Sequence, residues 1–183
     1  MGNVIIGATL SLDGFMNDRN GDVRRLYADL EELHRTEMLQ EEIRMTGAAV
    51  MGRRTFDMAE GDWTDYEFQV PIFVLTHRVP EQEIKGLNER LTVTFVTDGV
   101  ERAIEQAKAA AGDKEVTVIG GANTAQQCLQ AGLVDEIHIG IVPVFLGEGL
   151  RFFGPEIDEQ MELERTRVFE SPTRTDVWFR VVK

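Results

Sequence analysis

The stretch of this 183-residue sequence best suited to binding an anion is residues 116–124, Val-Thr-Val-Ile-Gly-Gly-Ala-Asn-Thr. The β-branched run 116–119 predicts a strand that stops at Gly120 and Gly121. A helical pattern follows over 123–131. A strand, two glycines and a helix start present free backbone N–H groups and the positive end of a helix dipole, which suits a phosphate. The alternative is a tight turn that binds nothing.

Basic residues follow two other predicted strands. Strand 48–51 runs into Gly52-Arg53-Arg54-Thr55, and strand 71–76 runs into His77-Arg78. Ligands of open α/β sheets collect at the carboxyl ends of strands, so we expect these arginines to gather beside the two glycines. They suit a ligand with several phosphates, although they could also be ordinary surface charges. Arginine without an acidic residue after strand 71–76 favours a ribose that carries a 2′-phosphate, as in NADPH.

The sequence lacks the residue patterns that other nucleotide-binding, metal-binding or nucleophilic sites require. The sequence has no Gly-Lys-Ser/Thr phosphate loop, and Gly147-Glu148-Gly149 lacks the third glycine of the NAD fingerprint. His34, His77 and His138 lie on different predicted elements, so we predict no metal site. The single cysteine, Cys128, is interpreted as a buried apolar residue of a helix rather than a nucleophile.

Composition narrows the class of protein. Hydrophobic residues make up 43% and charged residues 28%, as in a globular protein that buries a core in one domain. The net charge of −13 argues against nucleic-acid binding and against adsorption to anionic membranes. The longest uncharged run, 116–134, contains Asn and Gln residues and is no membrane span. A lone cysteine and no visible secretory signal lead us to expect a cytoplasmic protein.

Hydrophobic periodicity predicts strands that alternate with helices. Helices are predicted at 24–45 (kinked or divided in two), 100–111 and 123–131, and residues 16–22 have loop composition. The predicted strands are 3–10, 48–51, 71–76, 91–96, 116–119, 134–146, 162–170 and 173–182. This order predicts one α/β domain with a mixed, mostly parallel sheet, antiparallel strands late in the chain and helices on both faces.

Five motifs, in this order, resemble those of the dihydrofolate-reductase-like superfamily. The motifs are Ser-Leu-Asp-Gly at 11–14, Met-Gly-Arg-Arg-Thr-Phe at 51–56, Val-Leu-Thr-His-Arg at 74–78, Val-Ile-Gly-Gly-Ala at 118–122 and Pro-Val-Phe-Leu-Gly-Glu-Gly at 143–149. The branch they resemble is typified by the C-terminal reductase domain of riboflavin biosynthesis enzymes (RibD type). The resemblance spans nearly the whole chain and implies a dihydrofolate-reductase-like fold with NADPH as cofactor.

The resemblance also implies roles for individual residues. Asp13 would lie by the substrate, as a catalytic or orienting group; the alternative is a turn residue that caps its own loop. Asp29 faintly matches the carboxylate that aids pterin protonation in dihydrofolate reductases, but we interpret it as a surface helix residue. The residues implied to contact NADPH are Ala8, Gly14, Gly52, Arg53, Arg54, Thr55, Phe56, Leu75, Thr76, His77, Arg78, Ile119, Gly120, Gly121, Ala122, Asn123 and Thr124.

The function implied is that of an NADPH-dependent reductase acting on a pyrimidine- or pterin-like heteroaromatic substrate, such as 5-amino-6-(5-phosphoribosylamino)uracil. The alternatives are pterin reduction of the dihydrofolate reductase type and a non-catalytic NADPH-binding protein. Relatives of the riboflavin type pair as homodimers. Strand 134–146 carries more apolar surface than one small domain readily covers, so we expect a homodimer here too.

Overall fold

The computed structural model describes residues 2–155, 157 and 160–183. The helices within them are a 3₁₀ turn at Arg24–Leu26, α1 (Leu30–His34), α2 (Glu37–Met45), α3 (Arg53–Asp57), α4 (Val100–Ala111) and α5 (Asn123–Gln130). The strands are β1 (Val4–Ser11), β2 (Phe15–Asp18), β3 (Thr46–Gly52), β4 (Ile72–Leu75), β5 (Val93–Val96), β6 (Glu115–Ile119), β7 (Glu136–Val142), β8 (Gly149–Arg151), β9 (Leu163–Glu170) and β10 (Thr175–Val181).

Eight of these strands form one sheet in the order β5-β4-β3-β6-β1-β7-β10-β9. Strands β5 to β7 in that order are mutually parallel, and β10 is antiparallel to both β7 and β9. The predicted mixed sheet with antiparallel C-terminal strands is therefore confirmed. β2 and β8 pair separately as an antiparallel ribbon. The sequence analysis was wrong to treat all of residues 16–22 as loop, because this short pairing joins distant segments and has no local signature.

Helices cover both faces of the sheet, as predicted. α4 and α5 pack on one face, over side chains such as Ile6, Val50 and Val118. α1 and α2 pack on the opposite face, where Leu33 and Leu39 join the cluster around Trp178. The alternation of side chains along each strand places these two sets on opposite sides.

Local signals explain where the helices begin and end. α4 buries residues at helical spacing and ends at Gly112, whose φ of +65° favours glycine. The predicted helix 24–45 is interrupted: α1 stops at His34, and the Thr36 hydroxyl accepts a hydrogen bond from Leu39 N (3.2 Å) to cap α2. Across the described ranges, none of the helices has both the length and the apolar character needed to cross a bilayer.

β7 lies inside the sheet, between β1 and β10. Its residues Ile137, Ile139 and Val142 are buried by contacts within this chain. The strand is also shorter than the predicted 134–146. Three of the side chains from which the homodimer was predicted are therefore covered within this chain, whereas Phe145, beyond the end of β7, is 65% exposed, and the homodimer stays a prediction.

Candidate functional site

The carboxyl ends of four adjacent parallel strands bring the predicted motifs to one edge of the sheet. β4, β3, β6 and β1 are neighbours in that order. The segments that leave them are therefore side by side: residues 75–78 after β4, 52–56 after β3, 119–124 after β6 and 11–14 after β1. The tertiary structure thus brings all the residues predicted to contact the cofactor to this edge. Ala8 lies within β1, three residues before the end of the strand.

Two of these segments, 52–56 and 119–124, are packed against each other and are called the paired loops below. A Cβ on Gly52 would lie 2.6 Å from Thr124 Oγ1, and a Cβ on Gly120 would lie 2.3 Å from Thr55 Oγ1. Gly120 also has a φ of +75°, which L side chains rarely adopt. Glycine at each of these positions therefore lets a threonine of the other loop approach the backbone.

Each of the paired loops starts a helix. α3 follows Gly52 and α5 follows Ala122, and neither helix start has a side-chain cap among the described residues. The first N–H groups of α5 are therefore available to a ligand, and the helix dipole adds positive potential there. The peptide bond between Gly121 and Ala122 is cis. Asn123 is exposed and Thr124 is buried, so the two side chains face different surroundings.

The three arginines of this edge differ in their partners. Arg53 Nε donates to Asp57 Oδ1 at 2.7 Å within α3. Arg54 and Arg78 are exposed, and no carboxylate in the described part of the chain forms a salt bridge with either of them. The Thr76 hydroxyl donates to the carbonyl of Arg78 at 2.9 Å and shapes the turn that presents this arginine. Two guanidinium groups are thus left for an anionic ligand.

Asp13 ties two loops together. Its Oδ1 accepts a hydrogen bond from Leu146 N at 3.1 Å, and its Oδ2 accepts one from Gly147 N at 2.7 Å. Hydrogen bonds from the Ser11 hydroxyl and these two N–H groups lower the pKa of the Asp13 carboxyl to about 2. The carboxylate is therefore ionised at neutral pH and cannot donate a proton, and its contacts favour an orienting role over proton relay.

An opening lies over Gly7 in the face of the sheet that carries α1 and α2. In the register, Gly7 is paired with Ile119 of β6 and His138 of β7, so it sits in the middle of the sheet. No described heavy atom beyond its chain neighbours lies within 4 Å of the position of a Cβ on Gly7. Thr9, the next residue on this face, is only half-buried. This space, called the Gly7 opening, adjoins the edge that carries the paired loops.

Ala8 points to the other face of β1, where it packs against the core beneath α4 and α5. The methyl group of Ala8 is therefore directed away from the Gly7 opening, and a ligand there could meet only the backbone of this residue. Sequence reasoning missed Gly7 and Thr9. A signal was present, because an isolated glycine inside an apolar strand often marks the close approach of another molecule.

Asp29 is not the surface residue that the sequence analysis predicted. Its two carboxylate oxygens accept hydrogen bonds from Arg174 Nε (2.7 Å) and Nη2 (2.9 Å), and the side chains are 7% and 3% exposed. Burial by itself would raise the pKa of Asp29, but the hydrogen bonds and charge of Arg174 lower it overall. The prediction failed because β10 brings a distant arginine over the start of α1.

A second buried charge cluster surrounds His138. Its Nδ1 lies 2.5 Å from Glu42 Oε1 and its Nε2 lies 2.9 Å from Asp176 Oδ1, while the ring stacks on Trp178. Burial opposes the charged ring, but the two carboxylates raise the pKa of His138 to about 9. Gly140 leaves the room for this cluster, since a Cβ there would lie 2.7 Å from Asp176 Oδ1.

Both nitrogens of His138 are thus occupied by carboxylates. Within residues 2–155, 157 and 160–183, no three His, Cys, Asp or Glu side chains converge on a point that could hold a metal ion. Cys128 is buried, and burial raises the pKa of its thiol to about 12. Neither residue is available as a metal ligand or a nucleophile in this arrangement.

Comparisons with known proteins agree with this fold. "Uncharacterized protein YyaP" of Bacillus subtilis (strain 168) is 25% identical over 179 residues, covering 92% of this chain and 89% of its own. A Shewanella sp. PV-4 protein provisionally named for riboflavin biosynthesis has a TM-score of 0.79 at 23% identity, over 99% of both chains. Dihydrofolate reductase of Enterococcus faecalis, complexed with NADP(H), has a TM-score of 0.65 at 18% identity, over 100% of this chain and 98% of its own.

These two structural likenesses show a dihydrofolate-reductase-like fold. The match that reaches beyond the fold is to a family model, that of the RibD C-terminal domain, which aligns with residues 3–175 and so includes the paired loops, the Gly7 opening and Asp13. This chain belongs to the RibD C-terminal domain family.

Proposed function

We propose that this protein is an NADPH-dependent reductase that resembles 5-amino-6-(5-phosphoribosylamino)uracil reductase and acts on a pyrimidine-like substrate. The observation that carries the proposal is the pair of loops at the carboxyl edge of the sheet. Two helix starts without side-chain caps lie side by side there, and glycines let the paired loops pack closely against each other. Such a cradle fits a pyrophosphate, because backbone N–H groups and helix dipoles favour negative charge.

Different segments of this edge would bind different parts of the cofactor. Gly120 to Thr124 would hold the pyrophosphate and Gly52 to Phe56 would meet it from the facing loop. Leu75 to Arg78 would border the adenosine ribose, where Arg78 and Arg54 offer guanidinium groups without carboxylate partners in the described chain. When bound, NADPH supplies the hydride. Asp13, in its Leu146–Gly147 cradle, would orient the ligands at the nicotinamide end.

The Asp29–Arg174 pair favours a pyrimidine-like substrate over a pterin. Recognition of the amino-pyrimidine edge of a pterin requires a carboxylate with a free oxygen to accept the two adjacent N–H groups. Both oxygens of Asp29 are already held by Arg174. Releasing them would leave a buried guanidinium unpaired, which costs several kcal/mol. The pterin alternative therefore lacks its acid at this position.

A non-catalytic NADPH-binding protein would share the same cofactor site, so turnover assays distinguish it from a reductase.

The resemblance further implies a cytoplasmic homodimer. The exposed surface available to a second copy includes β9, the edge strand of the sheet, seven of whose eight residues are exposed. A light-scattering mass equal to the 20.6 kDa of one chain would contradict the dimer.

The cofactor is tested by calorimetry with NADPH and NADH. Wild type should bind NADPH more tightly, and Arg78→Ala should remove about 1–3 kcal/mol of that preference, as expected for a charge-assisted contact. Arg44→Ala is the matched control, because Arg44 lies at the end of α2, before the amino end of β3. Equal affinity of wild type for the two nucleotides would refute the assignment of NADPH.

A further inference from the structure

A reductase of this kind needs a proton as well as a hydride, and most titratable groups around the Gly7 opening cannot supply one. Asp13 is ionised, with both oxygens already accepting hydrogen bonds. Asp29 is held by Arg174. His138 has both ring nitrogens directed at carboxylates, those of Glu42 and Asp176. Each of these groups would have to break a buried ion pair or gain a proton before it could act.

Tyr27 lies between the 3₁₀ turn and α1, and this turn packs against β1. Thr9, on the face of β1 that also carries Gly7, is the neighbour whose hydroxyl acts on the Tyr27 phenol and acts to lower its pKa. Tyr27 as a whole is 38% exposed, although its hydroxyl is desolvated enough to raise the pKa of the phenol. Tyr27 is thus the phenol that the chain places beside the Gly7 opening.

The segment that carries Tyr27 is held on both sides by one arginine. Arg174 Nη2 donates to the carbonyl of Leu26 at 3.5 Å, and the same guanidinium binds Asp29 through two hydrogen bonds. Tyr27 lies between these two anchors. The buried Asp29–Arg174 pair therefore fixes the position of Tyr27 over β1, which gives this ion pair a positioning role at the site.

We propose that Tyr27 is the proton donor of the reduction, with Thr9 and Arg174 as its positioning residues. The assignment rests on the proposed function, since NADPH supplies the other half of the reaction. The ribosylamino group would react as its ring-opened imine, in which the C–O bond of the ribose ring has broken and the proton of the amine has passed to the ring oxygen. Hydride would add to the carbon of the imine C=N bond, and the electron pair of that bond would move to the nitrogen. The nitrogen takes the proton of the Tyr27 hydroxyl. The tyrosinate then regains a proton from water, and the products are NADP⁺ and the reduced C–N bond.

The charges that face Tyr27 are consistent with this step. Burial raises the pKa of Tyr27, while Thr9 and Arg174 act to lower it and Glu67 and Asp29 act to raise it. The phenol therefore keeps its proton at neutral pH until the substrate needs it. Once the proton has left, the Thr9 hydroxyl and the Arg174 guanidinium stabilise the tyrosinate.

The test uses the chain's two tyrosines as a matched pair. Tyr66 packs edge-on against Trp63, with 4.7 Å between the ring centroids, and its phenol is near enough to Tyr27 for the two charges to interact. Tyr66→Phe therefore removes the neighbouring phenol and tests whether the effect is specific to Tyr27. Turnover of 5-amino-6-(5-phosphoribosylamino)uracil with NADPH should fall about 10²–10⁴-fold in Tyr27→Phe and stay at the wild-type level in Tyr66→Phe. The affinity for NADPH should be unchanged in both. Thr9→Val should give a smaller loss and shift the basic limb of the pH profile.

Two further outcomes separate this inference from the proposed function. Wild-type turnover in Tyr27→Phe, with normal NADPH affinity, would overturn the role of Tyr27 and leave the reductase standing. A wild type that binds no NADPH would overturn both. As a readout without turnover, the same pyrimidine should bind Tyr27→Phe about 2- to 10-fold more weakly than Tyr66→Phe, as expected for one lost hydrogen bond. Equal binding by the two variants would also count against Tyr27.

Discussion

Replacing Gly7 by valine should block the substrate while leaving the protein folded. The Gly7 opening has no described heavy atom within 4 Å of the new Cβ, beyond the chain neighbours of Gly7. Gly7 also lies in β1, without the positive φ seen at eleven other glycines, so a β-branched residue fits its backbone. Removing a glycine from a strand stabilises it by about 0.5–1 kcal/mol. For a chain of this length that is an increase in Tm of about 1–4 °C.

The same side chain should weaken pyrimidine binding. Forcing extra methyl groups into occupied space costs about 1–3 kcal/mol, which is about 5- to 150-fold in Kd. Titration calorimetry with 5-amino-6-(5-phosphoribosylamino)uracil measures this change in Kd. Gly7→Ala adds a smaller side chain and should weaken binding less. NADPH should still bind, because its phosphate contacts lie at the paired loops.

Gly140→Ala is the contrasting control on the adjacent strand. Its Cβ would lie 2.7 Å from the buried Asp176 Oδ1, so this substitution should lower Tm instead of raising it. A Gly7→Val variant that binds the pyrimidine as tightly as wild type would refute the placement of the substrate over Gly7. A Tm loss as large as that of Gly140→Ala would refute the claim that the space is open.

Two more predictions concern charged groups. Asp13→Asn should lower turnover and leave the shape of its pH profile between pH 5 and 8 unchanged, because the pKa of Asp13 is about 2; loss of a limb of that profile would instead support proton relay. The pKa of His138 is about 9 against an ordinary value of 6.5, so its charge stabilises the fold fully below about pH 6.5, and this contribution disappears as the pH rises through 9. Urea unfolding at pH 6 and pH 9.5 should show wild type losing up to about 3 kcal/mol more than His138→Gln, and equal losses would contradict the cluster's role.

Much of the fold follows from local patterns. Runs such as 116–119 and 48–51 were predicted as strands because β-branched and apolar residues repeat there, and β6 and β3 lie at those places. The helix predicted over 100–111 has these bounds in the structure, where Gly112 follows it with a positive φ that glycine adopts readily. The helical segment predicted over 24–45 is divided, as one of its two predicted forms required. Periodicity does not resolve where the break falls, because the capping contact of Thr36 decides it.

The gathering of the motifs at one edge of the sheet could also be predicted from the sequence. A strand followed by glycines and a helix start is a local arrangement, and parallel strands in a common sheet necessarily end at one edge. The motifs at 52–56, 75–78 and 119–124 could therefore be predicted to lie beside one another. Their roles in binding NADPH stay predictions until the calorimetry is done.

The sequence by itself determined the strands, the helix starts and the glycines of the paired loops, because each depends on neighbours within a few residues. Only the tertiary structure decided which side chains meet. Asp29 finds Arg174 across 145 residues, and Gly140 makes room for Asp176 because β7 and β10 pair. The opening over Gly7 exists because the elements packed on that face leave it uncovered. Charge pairing and empty space depend on what lies opposite in three dimensions, and residue type alone does not specify that.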